Sequence, residues 1–261
     1  MRRLEKHSYA AAYDLYQSQE AFFPLIATVL LGEQAGVVYG DSIGAARHFY
    51  VEHASGFAQV FGGKDAEFDL ALNRYLVIDK AFTIPKVRLY TPRLPDFLTS
   101  PNFDKLRSER QRFVYGRLPA VAPKEHEGAQ EEAAHLRPVQ KNELAVVEST
   151  FNVVSRFWGN DSDFIEKSLA VVAWQGSQPL AICYAAALAK GQAEIDVLTV
   201  PAYRRTGLGR QVVLAFIEHC IQNAVQPMWD CFTNNVGSMG LCRTSGFVAA
   251  RPAYAFYTFD K

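Results

Sequence analysis

The sequence has no excess of charge of either sign, with 27 lysines and arginines against 27 aspartates and glutamates in 261 residues. A protein whose main partner is nucleic acid or an anionic membrane surface is expected to show a cationic excess or stripe, so neither partner is expected here. Cysteine is scarce: Cys183, Cys220, Cys231 and Cys242 form no C-x-x-C pair and have no histidine at ligand spacing. That argues against a metal site or a disulfide scaffold and predicts reduced thiols in a core. Long apolar runs are missing too. The strongest, residues 24–31, is far too short to cross a bilayer, and the polar first residues lead into no signal-type segment. These absences predict a cytoplasmic chain. Its length allows two modest domains or one large one without covalent staples. No internal repeat is visible in the sequence.

What is present is concentrated in residues 195–210, IDVLTVPAYRRTGLGR. Ile195, Val197 and Thr199 alternate with Asp196 and Leu198, Pro201 ends the run, and Gly207 and Gly209 open a segment with helical periodicity. The pattern predicts strand, basic turn, helix. A helix start exposes unpaired N–H groups and the positive end of the macrodipole, and glycine lets a ligand approach the backbone closely. Arg204, Arg205 and Arg210 add fixed positive charge. Together these make an anion cradle suited to a pyrophosphate.

In the first half, residues 4–19 read as a helix with Tyr9, Tyr13 and Tyr16 on one face. Residues 25–31 and 37–39, split by GEQAG, read as two strands of a hairpin, with further strands at 45–53 and 56–61. Asp65 is a plausible cap for a helix over 65–78, and 86–90 returns as a strand. Residues 108–118, SERQRFVYGRL, read as a solvated edge strand. Residues 119–135 are rich in Ala, Pro and Glu and nearly free of large apolar side chains, which makes them an acidic linker between a domain at 1–118 and one at 136–261. The second domain should contain a helix over 142–151, apolar strands at 169–174 and 180–188, the segment just described, a strand at 228–232, a short helix at 238–244 and a last strand at 253–259.

The Arg204-x-x-Gly207-x-Gly209 spacing resembles the acetyl-CoA loop of the GNAT N-acetyltransferase superfamily. Asn235, Ser238, Leu241, Gly246 and Phe247 fall at the spacing of a second segment of that superfamily, in the same order along the chain. Trp158, Asp163-Phe164, the EIDVLT and MWDC stretches and the N-terminal Gly36 to Asp41 and Phe61-Gly62-Gly63 are similar to a bacterial two-part subfamily. The resemblance implies an α+β fold, with a mixed, mostly antiparallel sheet, a splayed strand pair and helices on both faces, beside a smaller N-terminal α/β domain, for which a degenerate GNAT-like form stays open.

It also implies acetyl-CoA as co-substrate, an amine acceptor that is a small molecule or a peptide, and direct attack in a ternary complex. The backbone of Val197, Leu198 and Thr199 would meet the pantetheine and thioester. Arg204, Arg205, Thr206, Gly207, Leu208, Gly209 and Arg210 would hold the pyrophosphate, with Asn235 on the pantetheine side and Ser238 nearby. An alkyl ammonium has a reference pKa of about 10.4, so attack needs a proton acceptor. Glu194 and Asp230 are the carboxylates on the flanking strands, and Asp196 ranks third unless a bulge changes its face. The superfamily tyrosine that protonates the leaving thiolate is replaced by Cys242, leaving Tyr254 or Tyr257 as substitutes. A non-catalytic acyl-CoA-binding module and an unrelated phosphate-binding domain stay open as alternatives, and a homodimer is compatible with the sequence.

Overall fold

The computed structural model describes residues 1–116 and 134–261. They form two compact units: Met1–Arg110 with Arg156–Gly159 and Ala253–Lys261, and Gln111–Ser155 with Asn160–Pro252. The expected linker lies outside the described residues except at Ala134 and His135. The two units are not two consecutive stretches of chain, because Arg156–Gly159 and Ala253–Lys261 belong with the first.

The first unit runs β1 (Arg2–Arg3), α1 (Tyr9–Tyr16), α2 (Pro24–Leu30), β2 (Gly36–Gly40), β3 (His48–His53), β4 (Phe57–Gly62), α3 (Ala66–Asn73) and β5 (Lys86–Tyr90). The first residues of β6 (Arg107–Tyr115) and the C-terminal strand β13 (Tyr254–Asp260) complete it. Its strands are ordered β1-β2-β3-β4-β5-β13-β6, and every pair is antiparallel except β4 with β5. Asp65 caps α3 as its sequence position suggests, accepting from the N–H groups of Glu67 and Phe68 at 2.9 and 3.1 Å.

One expectation fails here. Residues 25–31 are no hairpin strand but helix α2, with Pro24 at its first position and all seven residues buried. A helix buried all round shows no period, so a short apolar run cannot be told from a buried strand by pattern alone.

The second unit runs β7 (His135–Pro138), α4 (Leu144–Phe151), α5 (Asp161–Lys167), β8 (Val171–Gln175), β9 (Gln178–Ala189), β10 (Gln192–Thr199), α6 (Leu208–Gln222), β11 (Gln226–Phe232), α7 (Val236–Thr244) and β12 (Phe247–Ala249). Its strand order is β6-β11-β10-β9-β8-β7, with β12 antiparallel to β6. The core is made where Val212, Val213, Phe216 and Ile217 of α6 pack on Ala181, Cys183 and Ala185 of β9 and Ala193 of β10. Each large α6 side chain so buried contributes about 2 kcal/mol, while the row of alanines opposite lets the helix approach the sheet. The basic-aromatic stretch is not an edge strand: residues 111–115 lie between β11 and β12. All four cysteines are free and buried. Among the described residues no helix is long and apolar enough to cross a membrane.

Burial leaves a pH signature in the first unit. His53 is fully enclosed, its Nδ1 2.7 Å from Ser55 Oγ and its Nε2 3.1 Å from Gln34 Oε1, and desolvation lowers its pKa from 6.5 to about 4. The folded pKa lies below the unfolded one, so between about pH 6.5 and 4 the unfolded chain binds more protons and stability falls as pH falls. The loss from this residue alone should reach roughly 3 kcal/mol at the acid end. Urea midpoints measured from pH 7 to 4 should drop along this slope and flatten in His53→Gln; an unchanged slope in the variant refutes the assignment.

Candidate active site

The site begins where two strands part. β10 and β11 pair in parallel at Gln192 with Gln226, Ala193 with Pro227 and Glu194 with Met228, and the pairing stops there although β10 continues to Thr199 and β11 to Phe232. On its other edge β10 stays laddered to β9 along its whole length. A wedge therefore opens between residues 195–199 and 229–232, bordered by backbone groups that have no ladder partner across it.

Which side chains face the wedge's outer surface follows from alternation. Ala193, Ile195 and Val197 pack into the core under α6, as do Trp229 and Cys231, so Glu194, Asp196 and Leu198 share the opposite face with Met228 and Asp230. The register does shift between Glu194 and Ile195, but the extra residue is Ala186 on β9, which leaves β10 in step and keeps Glu194 and Asp196 together.

The three carboxylates differ in their surroundings. Glu194 is 7% exposed at the last paired position. Asp196 accepts from the Tyr184 hydroxyl at 2.8 Å and from the Val197 N–H at 3.0 Å. Asp230, its side chain 1% exposed, pairs with the equally enclosed Arg112 of β6, Nε to Oδ2 at 3.0 Å. Arg112 and Tyr184 were not recognised in the sequence. Tyr184 sits in an unbroken apolar run, and nothing in SERQRF distinguishes the arginine that turns inward from its neighbours.

At the mouth of the wedge the chain makes the basic turn and enters α6. Arg204, Arg205, Thr206 and Gly207 are exposed, and α6 has no side-chain cap and no acidic residue in its first turn. Gly207 has φ +92°, a conformation that strains any residue with a Cβ, and a Cβ there would meet nothing within 4 Å. Gly209 serves closeness instead: a Cβ would lie 3.3 Å from Thr199 Oγ1. Arg204 Nε donates to the Thr199 carbonyl at 3.2 Å, and Arg210 Nε to the Thr244 carbonyl at 3.1 Å. The turn is thus tied to the end of β10 and to α7 while its outer side stays open. An uncapped helix start with free approach is an anion site by construction.

The remaining candidates lie elsewhere. Asn235 caps α7, its Oδ1 accepting from the Ser238 N–H at 3.1 Å, and Ser238 Oγ accepts from the Trp229 indole at 3.0 Å. Cys242 is wholly buried in the core, and desolvation raises its thiol pKa well above the ordinary value, as it does for Cys183; Cys220 is pushed up to about 12. No thiolate nucleophile is offered by such groups. Tyr254 belongs to the first unit, with its ring 5.2 Å from that of Tyr90 and 6.0 Å from that of Phe23.

Comparison with known proteins agrees with this geometry. The model of the family described as GNAT acetyltransferase matches residues 19–257. An uncharacterized N-acetyltransferase of Bacillus subtilis (strain 168), YdfB, is 29% identical over 102 residues, a stretch covering 39% of this chain and 39% of that protein. Among solved structures, a GCN5-related N-acetyltransferase-like protein from Streptococcus suis 89/1591 superposes with TM-score 0.68 at 16% identity, covering 98% of this chain and 99% of that one. An acetyltransferase of the GNAT family from Colwellia psychrerythraea gives TM-score 0.60 at 12% identity over 99% of both. At such identities the structures speak for the fold, and the family match speaks for descent. The chain belongs to the GNAT acetyltransferase family.

Proposed function

We propose that this protein transfers an acetyl group from acetyl-CoA to an amine of a small molecule or a peptide, by direct attack within a ternary complex. The observation that carries this reading is the β10–β11 pairing abandoned after Glu194 and Met228, which opens a wedge directly below an uncapped, glycine-led helix start. Family membership implies acyl transfer from acetyl-CoA, and the wedge is where a pantetheine arm fits.

In this reading the N–H groups opening α6, from Gly207 to Arg210, take the pyrophosphate, with Arg204 and Arg205 supplying charge at the rim. The free edge of β10 along Val197, Leu198 and Thr199 offers amide and carbonyl groups to the pantetheine and a donor to the thioester oxygen. The Val197 N–H, held by Asp196, is the group that would exchange its carboxylate partner for that oxygen. Asn235 shapes the pantetheine wall through its cap on α7, and Ser238 acts there through Trp229.

The acceptor must lose a proton before its nitrogen lone pair attacks the thioester carbon. Glu194, buried where the wedge begins, is the acceptor we assign. The C–N bond forms as the carbonyl pair moves to oxygen; that pair returns to carbon as the C–S bond breaks with its electrons on sulfur, and the thiolate takes the second proton from the new C–N nitrogen. Asp230, committed to Arg112, orients the acceptor ammonium rather than taking its proton. Tyr254 belongs to the first unit and takes no part in the transfer proposed here. One observation favours a second reading, acyl-CoA binding without turnover: Cys242, where the superfamily tyrosine is expected, is sealed in the core. Release of free CoA thiol in the presence of a panel of amines separates the two, because binding with no release on any of them supports the second.

Three outcomes test the assignment. Gly207→Val should weaken acetyl-CoA binding at least tenfold in titration calorimetry, because its side chain would stand in the approach path, and should lower the melting temperature by a few degrees, because φ +92° disfavours a branched residue. Glu194→Gln should lower kcat roughly 100-fold or more at unchanged acetyl-CoA affinity; an unchanged kcat moves the role elsewhere. Arg112→Met alone should cost about 3 kcal/mol by stranding a buried carboxylate, whereas Arg112→Met with Asp230→Leu should recover most of that stability. Recovered folding and cofactor affinity with poor transfer places Asp230 on the acceptor side; full turnover in the double variant reduces the pair to a brace.

A further inference from the structure

The two units repeat one plan. Each runs strand, two helices, three antiparallel strands, a crossover helix and a parallel strand: β1, α1, α2, β2, β3, β4, α3, β5 in the first, and β7, α4, α5, β8, β9, β10, α6, β11 in the second. The pairings agree strand for strand. β1–β2, β2–β3 and β3–β4 are antiparallel and β4–β5 parallel, as β7–β8, β8–β9 and β9–β10 are antiparallel and β10–β11 parallel. Even the parallel pairing has the same extent, Phe57 to Gln59 with Arg88 to Tyr90 against Gln192 to Glu194 with Gln226 to Met228. A crossover of this kind places a helix start beside the end of its strand in both units.

We infer that the first unit is a second acyl-CoA-binding fold whose cofactor cradle is filled by the protein's own groups, with the Asp65 carboxylate standing where a pyrophosphate would, so that each chain binds one CoA. The inference rests on the reading of the second unit given above.

Three local differences carry it. The first is the helix start. Asp65 accepts from the Glu67 and Phe68 N–H groups, and Glu67 and Asp69 add negative charge in the first turn of α3, whereas α6 has neither cap nor acid. An incoming phosphate would have to displace a carboxylate already bonded to those donors and enter against the charge of Glu67, while the Asp69 carboxylate is already paired with Arg93 at 3.6 Å.

The second is the turn. Between β4 and α3 the chain has Gly63, Lys64 and Asp65, and the Gly63 N–H is taken by the Arg47 carbonyl at 3.0 Å. A Cβ on Gly62 would lie 2.1 Å from that same oxygen, so the backbone leading into β3 is packed directly against the end of β4.

The third is the position of the proposed base. Gln59 holds the register position of Glu194, and both ends of its amide are used internally: Oε1 accepts from the Tyr16 hydroxyl at 2.7 Å and Nε2 donates to the Ala21 carbonyl at 2.9 Å. A fully bonded neutral amide cannot take a proton from an ammonium. Beyond it, Tyr90 closes β5 against the rings of Phe23 and Tyr254 at 5.3 and 5.2 Å, where in the second unit β11 runs on past its last partner.

Equilibrium titration of the full chain with CoA, combined with hydrogen–deuterium exchange, tests this. The expected result is one CoA per chain, protection along residues 197–210 and none along 62–68. Asp65→Ala should lower the melting temperature by several degrees and leave CoA affinity within twofold of the parent chain. Two CoA molecules per chain, protection along 62–68, or a tenfold loss of affinity in Asp65→Ala overturns the inference while sparing the acyltransferase reading. No binding at any concentration overturns both, and so is distinct from the two-site result.

Discussion

Everything at the site depends on two parallel strands that give up their ladder after three pairs. A buried backbone donor or acceptor without a partner costs about 1–3 kcal/mol, so a sheet does not open in its middle unless other groups hold the edges. Here β9 secures β10 from one side and β6 secures β11 from the other. The Arg112–Asp230 pair ties the half of β11 beyond Met228 to β6 by a side-chain bond. Asp196 bends back to the Val197 N–H on the free edge of β10 and takes the Tyr184 hydroxyl across the intact ladder. The opening is therefore braced on both flanks. Along Val197 to Thr199 its border is a strand edge, which suits the pantetheine arm proposed above.

Much of this was legible in the sequence, and the legible part has a common cause. A strand meeting a glycine-led helix through a basic turn is written in neighbouring residues, so Val197 to Arg210 could be placed from local pattern. The cap at Asp65 is local in the same way. What stayed hidden depends on contacts distant in sequence. The pair of Arg112 with Asp230 spans over a hundred residues, and the burial of α2 on all sides erased the period that would have marked it as a helix. β6 reads as an exposed edge because arginines alternate with aromatics along it, yet Arg110 and Arg112 are both buried. Long arginine stems can line an interior when their guanidinium groups find partners. The repeated plan shows as no internal repeat in the sequence and is pointed to only by the family resemblance, because the shared features are pairings, and pairings leave no residue identity behind.

The two units show how little of a function resides in a fold. The backbone plan, the extent of the parallel pairing and the crossover helix are shared, and what separates an open cradle from a filled one is a handful of side chains at the strand end and helix start. A single aspartate at the cap position turns an anion-binding helix start into one that is electrostatically complete. A glutamine with two internal hydrogen bonds turns a reactive position into a structural one. The gain to the first unit is rigidity: Tyr16, Gln59 and Ala21 form a bonded chain running from α1 through the sheet to the approach of α2. In the second unit the packing of α6 on β9 and β10 makes the core.

The loss of the superfamily tyrosine at Cys242 is smaller than it looks once the two proton transfers are weighed. Freeing an amine with a pKa near 10.4 at neutral pH costs about 4–5 kcal/mol, and that cost falls on the step before attack. The thiolate of CoA, with a reference pKa near 8.5, is close enough to neutral pH that its departure as an anion costs only about 2 kcal/mol relative to the thiol. A base in the wedge therefore carries more of the barrier than an acid beyond it. In the proposed reading, a buried Glu194 where the strands part keeps the group with the larger effect, and the acid is the one dispensed with. It also explains why the cysteine could be absorbed into packing without taking the chemistry with it.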